Sequence, residues 1–149
     1  MAKIKKNSAL SEMSGAYAAM FTPLDKKGRI NEDAISQIID YGISNGLKGF
    51  YLTGSTGAWF LLSPEERVQV WNAAFKAAKG RCKLIAHVGD TSTDVSVQLA
   101  KSAADAGMDW FSSGAPPLFR NNFAGAYFHY SKVSSATDLP PMASTRRSD

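Results

Sequence analysis

Short apolar runs alternate with capped amphipathic segments along most of this chain, and that alternation constrains its fold more than any other feature. Strands that each lead into a helix cannot be closed by hairpins. They are expected to lie parallel, with crossover helices packed on the sheet. The clearest boundary is Ser63-Pro64-Glu65-Glu66. Serine stands at an N-cap, proline at the first helical position and glutamate at the third, a capping box. Val68, Trp71, Phe75 and Ala78 form the expected buried stripe of that helix, and Lys79-Gly80 stops it.

The same punctuation recurs on both sides. A first strand is expected over residues 16–21, closed by Thr22-Pro23. Asn31 caps a helix with Glu32 and Asp33 in its first turn, and Ile35, Ile38, Ile39 and Ile43 follow at helical spacing until Asn45-Gly46. The second strand spans 49–53 and the third 83–88. Gly89-Asp90-Thr91-Ser92 then opens a helix with Val95, Leu99, Ala103 and Ala106 on one side, ended by Gly107. A fourth strand over 109–113 precedes Gly114-Ala115-Pro116-Pro117, and a fourth helix is expected over 123–136.

Leu139-Pro140-Pro141-Met142 stands where a fifth strand would begin, yet residues 143–149 are polar and show no strand pattern. Two architectures fit. One is a four-stranded open sheet; the other is the first half of an eight-stranded (β/α) barrel, which normally needs about 250 residues.

Composition narrows the function classes. With 149 residues and 44% hydrophobic content, one domain can bury a core. No apolar run is long enough to span a membrane, and the basic Met1-Ala2-Lys3-Ile4-Lys5-Lys6 leads into no signal-peptide core. A cytoplasmic protein is expected. Cys82 stands alone, so no internal disulfide forms, and a buried structural thiol in a reducing compartment is expected. The formal charge of +4 lies in the tails: residues 11–142 carry twelve basic and twelve acidic side chains. No basic face for nucleic acid is indicated.

The candidate site is the turn Gly54-Ser55-Thr56-Gly57, delivered by the apolar run Phe50-Tyr51-Leu52. Glycines let backbone N–H groups approach a ligand, and adjacent hydroxyls add donors, so the turn suits a small carboxylate or phosphate. An ordinary Gly-rich strand-to-helix loop has the same composition. The turn lacks the Gly-Lys-Ser/Thr ending of a nucleotide P-loop. His87 and Asp90 are spaced for an acid–base pair, but a structural role is expected for His87 at the end of its strand. His129, beside Tyr130, has no partner at metal-ligand spacing, and no zinc site or other cofactor is expected. Trp59, Phe60, Trp71 and Trp110 read as packing residues.

Taken in order, these landmarks resemble the N-terminal half of the dihydrodipicolinate synthase/N-acetylneuraminate lyase family. The matching stretches are Ala19-Met20-Phe21-Thr22-Pro23-Leu24, the turn 54–57, Leu62-Ser63-Pro64-Glu65-Glu66-Arg67, Lys83-Leu84-Ile85-Ala86-His87-Val88-Gly89 and the Pro116-Pro117 turn. Ser55 and the Ile85-Ala86-His87-Val88-Gly89 run are closer to the neuraminate lyase branch. The resemblance implies half of a TIM barrel over residues 15–142, flanked by a tail at 1–14 and a non-family tail at 143–149. It also implies class I aldolase chemistry, in which a lysine forms a Schiff base with pyruvate or another 2-keto acid. Gly54, Ser55, Thr56 and Gly57 would then bind the keto-acid carboxylate.

Departures from the family pattern bear on activity. The family's strand-five tyrosine follows a Leu-Pro, but here Met142 is followed by Ala143-Ser144-Thr145. The Schiff-base lysine of strand six has no counterpart, and Lys48, Lys79 and Lys83 are expected at the wrong ends of their strands. Lys76 and Lys101 read as helix-surface charges. Ala58 replaces a usual glutamate, and Leu118-Phe119 stand where aromatic hydroxyls are common. The sequence therefore offers no catalytic residue, and a truncated member of the 2-keto-acid aldolase family, inactive alone, is expected. The alternative is a non-catalytic fragment that binds keto acids or interferes with oligomers of full-length relatives. A homo-oligomer or association with a full-length homologue is the expected partnership.

Overall fold

The computed structural model describes residues 13–116 and 122–144. Strands and helices alternate as β1 (Tyr17–Ala19), α1 (Glu32–Ser44), β2 (Gly49–Leu52), a 3-10 turn (Trp59–Leu61), α2 (Pro64–Ala78), β3 (Lys83–His87), α3 (Thr93–Asp105), β4 (Trp110–Gly114), α4 (Phe123–Ser134) and β5 (Pro141–Ser144). The five strands lie in the order β1-β2-β3-β4-β5. Every neighbouring pair is parallel, with Ala19 opposite Tyr51, Tyr51 opposite Ile85, His87 opposite Ser112 and Ser112 opposite Met142. Each strand joins its neighbour through a helix, which gives a partial (β/α)8 barrel.

The fifth strand corrects the expectation that the strand pattern ends at Met142. β5 runs to Ser144 and pairs with β4 along its length. Ala143 and Ser144 show no strand pattern of their own, but a parallel neighbour supplies backbone partners whatever the side chains, and this outweighs weak local propensity. Leu118 and Phe119, and residues 1–12 and 145–149 of the two expected tails, lie outside the described residues. Among the described residues, no helix is long and apolar enough to cross a membrane.

Helix starts follow their sequence signals. The Asn31 side chain accepts from the Ala34 N–H at 3.0 Å. Ser63 Oγ accepts from the Glu66 N–H at 3.2 Å, and Glu66 Oε2 accepts from the Ser63 N–H at 2.8 Å, which closes the box. Ser63→Ala should cost about 1 kcal/mol of stability, the usual worth of such a cap. A urea-unfolding midpoint equal to wild type would show that the box contributes nothing.

Two layers form around the sheet. Phe50, Leu52, Leu84, Ala86, Val88 and Phe111 face the helices and share one core with Ile35, Ile39, Trp71, Leu99 and Ala103. Strand alternation sends Tyr51, Ile85, His87, Trp110 and Ser112 to the concave face. Ile85 and Trp110 are buried yet stand outside that helix-side core. Two expectations about packing fail. Phe75 is 51% exposed because α2 turns Arg67, Val70, Ala74 and Ala77 inward instead, and Phe60 is 63% exposed on the 3-10 turn. The inward face of α2 thus includes a buried arginine, which apolar periodicity alone does not signal.

Candidate functional site

The turn predicted from sequence sits at the carboxyl end of β2, and it is held in place by a strained residue. Thr53 has φ 51°, in the left-handed region where a β-branched side chain is rare. Its hydroxyl accepts from Trp71 Nε1 at 2.9 Å and donates to the His87 carbonyl at 3.4 Å. Such a conformation costs on the order of 1–3 kcal/mol and persists only when the surroundings over-determine it. Here α2 and β3 do so, and the chain turns sharply into residues 54–57.

Both glycines of the turn are required by closeness. A Cβ on Gly54 would stand 2.2 Å from Tyr51 Cε1, so the phenol ring lies directly against this backbone. A Cβ on Gly57 would meet Thr53 Cα at 3.0 Å and the Met20 carbonyl at 3.1 Å. The Gly57 carbonyl also accepts from Thr22 Oγ1 at 2.8 Å, tying the turn to the chain that leaves β1. Ser55 and Thr56 are exposed, and among the described residues neither hydroxyl has a protein partner.

A pocket of about 340 Å³ opens beside the turn, lined by Gly54, Ser55, Thr56, Tyr51, His87, Ser112, Ala19 and Met142. Gly54, Ser55 and Thr56 were read from the sequence as site residues; Gly57 supports them from behind. Tyr51, Ser112 and Met142 were missed. For Ser112 a signal existed, since two serines interrupt an otherwise apolar strand and one must face inward. Tyr51 is hidden by its resemblance to an ordinary strand aromatic.

His87 is brought to the pocket, but not with Asp90. Its Nδ1 lies 3.0 Å from the Tyr51 hydroxyl, which lies 2.6 Å from Ser112 Oγ. Burial, reinforced by the nearby Arg67 charge, pushes the imidazole down to about 4, so it is neutral at physiological pH. Burial pushes the Tyr51 phenol up, so it keeps its proton. Asp90 is engaged by Arg67 Nη1 at 3.4 Å and by Thr91 and Ser92.

Arg67 is the clamp beneath the pocket. It is 1% exposed and donates to the carbonyls of Gly89 and His87, with its guanidinium 5.6 Å from the Trp59 ring centroid and 5.9 Å from that of Trp71. Burial lowers its pKa to about 10, opposed by Asp90, so it stays charged at neutral pH.

Among the described residues, no lysine lines the pocket. Lys83 opens β3 at the opposite end, with Nζ 2.6 Å from Asp109 Oδ1; Lys48 directly precedes β2, and Lys79 caps α2. On the helix side of β4, His129 bridges Thr93 Oγ1 and Ser113 Oγ, each at 3.0 Å, away from the pocket. Cys82 is buried. Among the described residues, no three His, Cys, Asp or Glu side chains converge to hold a metal ion.

Known proteins resemble this chain in sequence and in fold. N-acetylneuraminate lyase from Escherichia fergusonii is 36% identical over 132 residues, which cover 89% of this chain and 44% of that protein. The structure of CdNal from Clostridium difficile in complex with mannosamine superimposes with a TM-score of 0.84 at 33% identity, covering 88% of this chain and 46% of the other. Dihydrodipicolinate synthase from Agrobacterium tumefaciens does so with a TM-score of 0.83 at 32% identity, covering 89% and 45%. The chain thus spans about half the length of the relatives it matches. Residues 12–144 match the dihydrodipicolinate synthetase family, and the chain belongs to it.

Proposed function

We propose that this chain carries the carboxylate-gripping part of a 2-keto-acid site, of the kind class I aldolases use to position pyruvate for Schiff-base formation. The observation that carries this reading is a tight turn whose two hydroxyls, Ser55 and Thr56, have no protein partner among the described residues and stand on the wall of a pocket of about 340 Å³. A carboxylate in such a pocket needs several donors, and hydroxyls and backbone N–H groups there can supply them. The kinship to N-acetylneuraminate lyase supports a small 2-keto acid over other anions. Among the described residues no lysine lines the pocket, so the turn is read as a binding element rather than as the source of the Schiff-base amine.

Pyruvate titration followed by NMR tests this. Each charge-assisted hydrogen bond is worth roughly 1.5–3 kcal/mol, so Ser55→Ala/Thr56→Val should weaken binding at least about tenfold. Borohydride added to the same mixture should give no covalent adduct by intact mass. Unchanged affinity in the double variant would place the anion elsewhere, and a stoichiometric adduct would show that some lysine does form the imine.

A second reading concerns association. Among the described residues, β1 and β5 each have a strand on one side only, and open parallel edges favour pairing with another chain. That observation supports a homo-oligomer or a complex with a full-length homologue as the state in which this half-barrel acts.

A further inference from the structure

Opposite the turn, the polar lining of the pocket is one continuous run of hydrogen bonds. His87 Nδ1 meets the Tyr51 oxygen at 3.0 Å, and that oxygen meets Ser112 Oγ at 2.6 Å. The three side chains come from adjacent strands, β3, β2 and β4, at the carboxyl end of the concave face. Gathering three polar groups on the concave face is costly unless each is satisfied. The Tyr51 ring also touches the Gly54 backbone, so the hydroxyl run and the carboxylate turn are walls of the same pocket.

We propose that the Tyr51–Ser112 hydroxyl pair, oriented by His87, recognises the oxygen on the carbon next to the bound carboxylate, and so selects 2-oxo acids over plain carboxylic acids. This rests on the keto-acid reading of the turn. The proton order is assigned from hydrogen-bond capacity. Each hydroxyl has one proton, and a neutral imidazole can donate or accept at Nδ1. With Nδ1 protonated, His87 donates to Tyr51, Tyr51 donates to Ser112, and the Ser112 proton is left for a keto oxygen. Asp90 cannot draw His87 out of this chain, because Arg67, Thr91 and Ser92 already engage its carboxylate. Ala19 and Met142 complete the lining without adding a competing donor.

Propionate is the probe that separates the two walls, since it keeps the carboxylate of pyruvate and lacks the keto oxygen. Titrated by NMR, the wild-type chain should prefer pyruvate by roughly three- to tenfold, the worth of one neutral hydrogen bond. Ser112→Ala should erase that preference and leave propionate affinity unchanged. Tyr51→Phe, which cuts His87 off from Ser112 with little change of shape, should reduce it. A wild-type chain without the preference, or a preference that survives in both variants, would overturn the proposal. Failure of the turn reading looks different: Ser55→Ala/Thr56→Val would then bind both acids as wild type does.

Discussion

Replacing Arg67 by methionine is expected to cost about 3–5 kcal/mol, the range seen when one partner of a buried ion pair is removed. The methionine fills much of the volume and keeps the helix, so the loss isolates the guanidinium. What is left behind decides the magnitude. The carbonyls of His87 and Gly89 lose donors inside the fold, Asp90 loses its cation, and Trp59 and Trp71 lose the charge against their rings. Each buried acceptor left unsatisfied costs about 1–3 kcal/mol. Arg67→Lys should recover only part of this, because one ammonium cannot reach three acceptors spread over Gly89, His87 and Asp90. Since small domains are stable by only about 5–15 kcal/mol, the methionine variant should be largely unfolded at modest urea. A denaturation midpoint within experimental error of wild type would remove Arg67 from this role. The effect reaches the pocket, because the carbonyl that Arg67 holds belongs to the residue whose imidazole meets Tyr51.

The clamp also marks the boundary of what the sequence could tell. The capping box at Ser63, the Asn31 cap and the parallel strand order are local or pattern-level signals, and each is in place. The turn at 54–57 was legible for the same reason: glycines and hydroxyls adjoin in sequence, and the turn falls just after a strand. Tyr51, His87 and Ser112 are separated by 36 and 61 positions along the chain in their mutual contacts, and only the strand register brings them together. The inward turn of Arg67 on α2 has no local signal, since arginine is ordinarily solvated, while here acceptors on His87, Gly89 and Asp90 make burial favourable. β5 was underestimated because its evidence lies in β4, not in residues 141–144 themselves.

Lowering the pH should destabilise this chain through His87, over a window set by its two pKa values. Unfolded, the imidazole titrates near 6.5; folded, burial first and the Arg67 charge second push it down to about 4. The unfolded state therefore binds a proton over an interval in which the folded state does not. The contribution of neutral His87 is fully present above pH 6.5, is lost progressively as pH falls, and is gone below about pH 4. A shift of that size corresponds to roughly 3 kcal/mol. His129, also pushed down by burial, acts in the same direction. Asp25 and Glu65 are exposed carboxylates held below their usual range by hydrogen bonds, and they too favour the folded state less as acid is added. A mutant difference is needed to separate them. Urea midpoints measured at pH 7 and pH 4.5 for wild type and His87→Gln should converge as pH falls, because glutamine can still bond the Tyr51 hydroxyl but takes up no proton. Parallel losses in the two proteins would mean that His87 is protonated in the folded state, and that the neutral imidazole at the head of the Tyr51–Ser112 run is wrong.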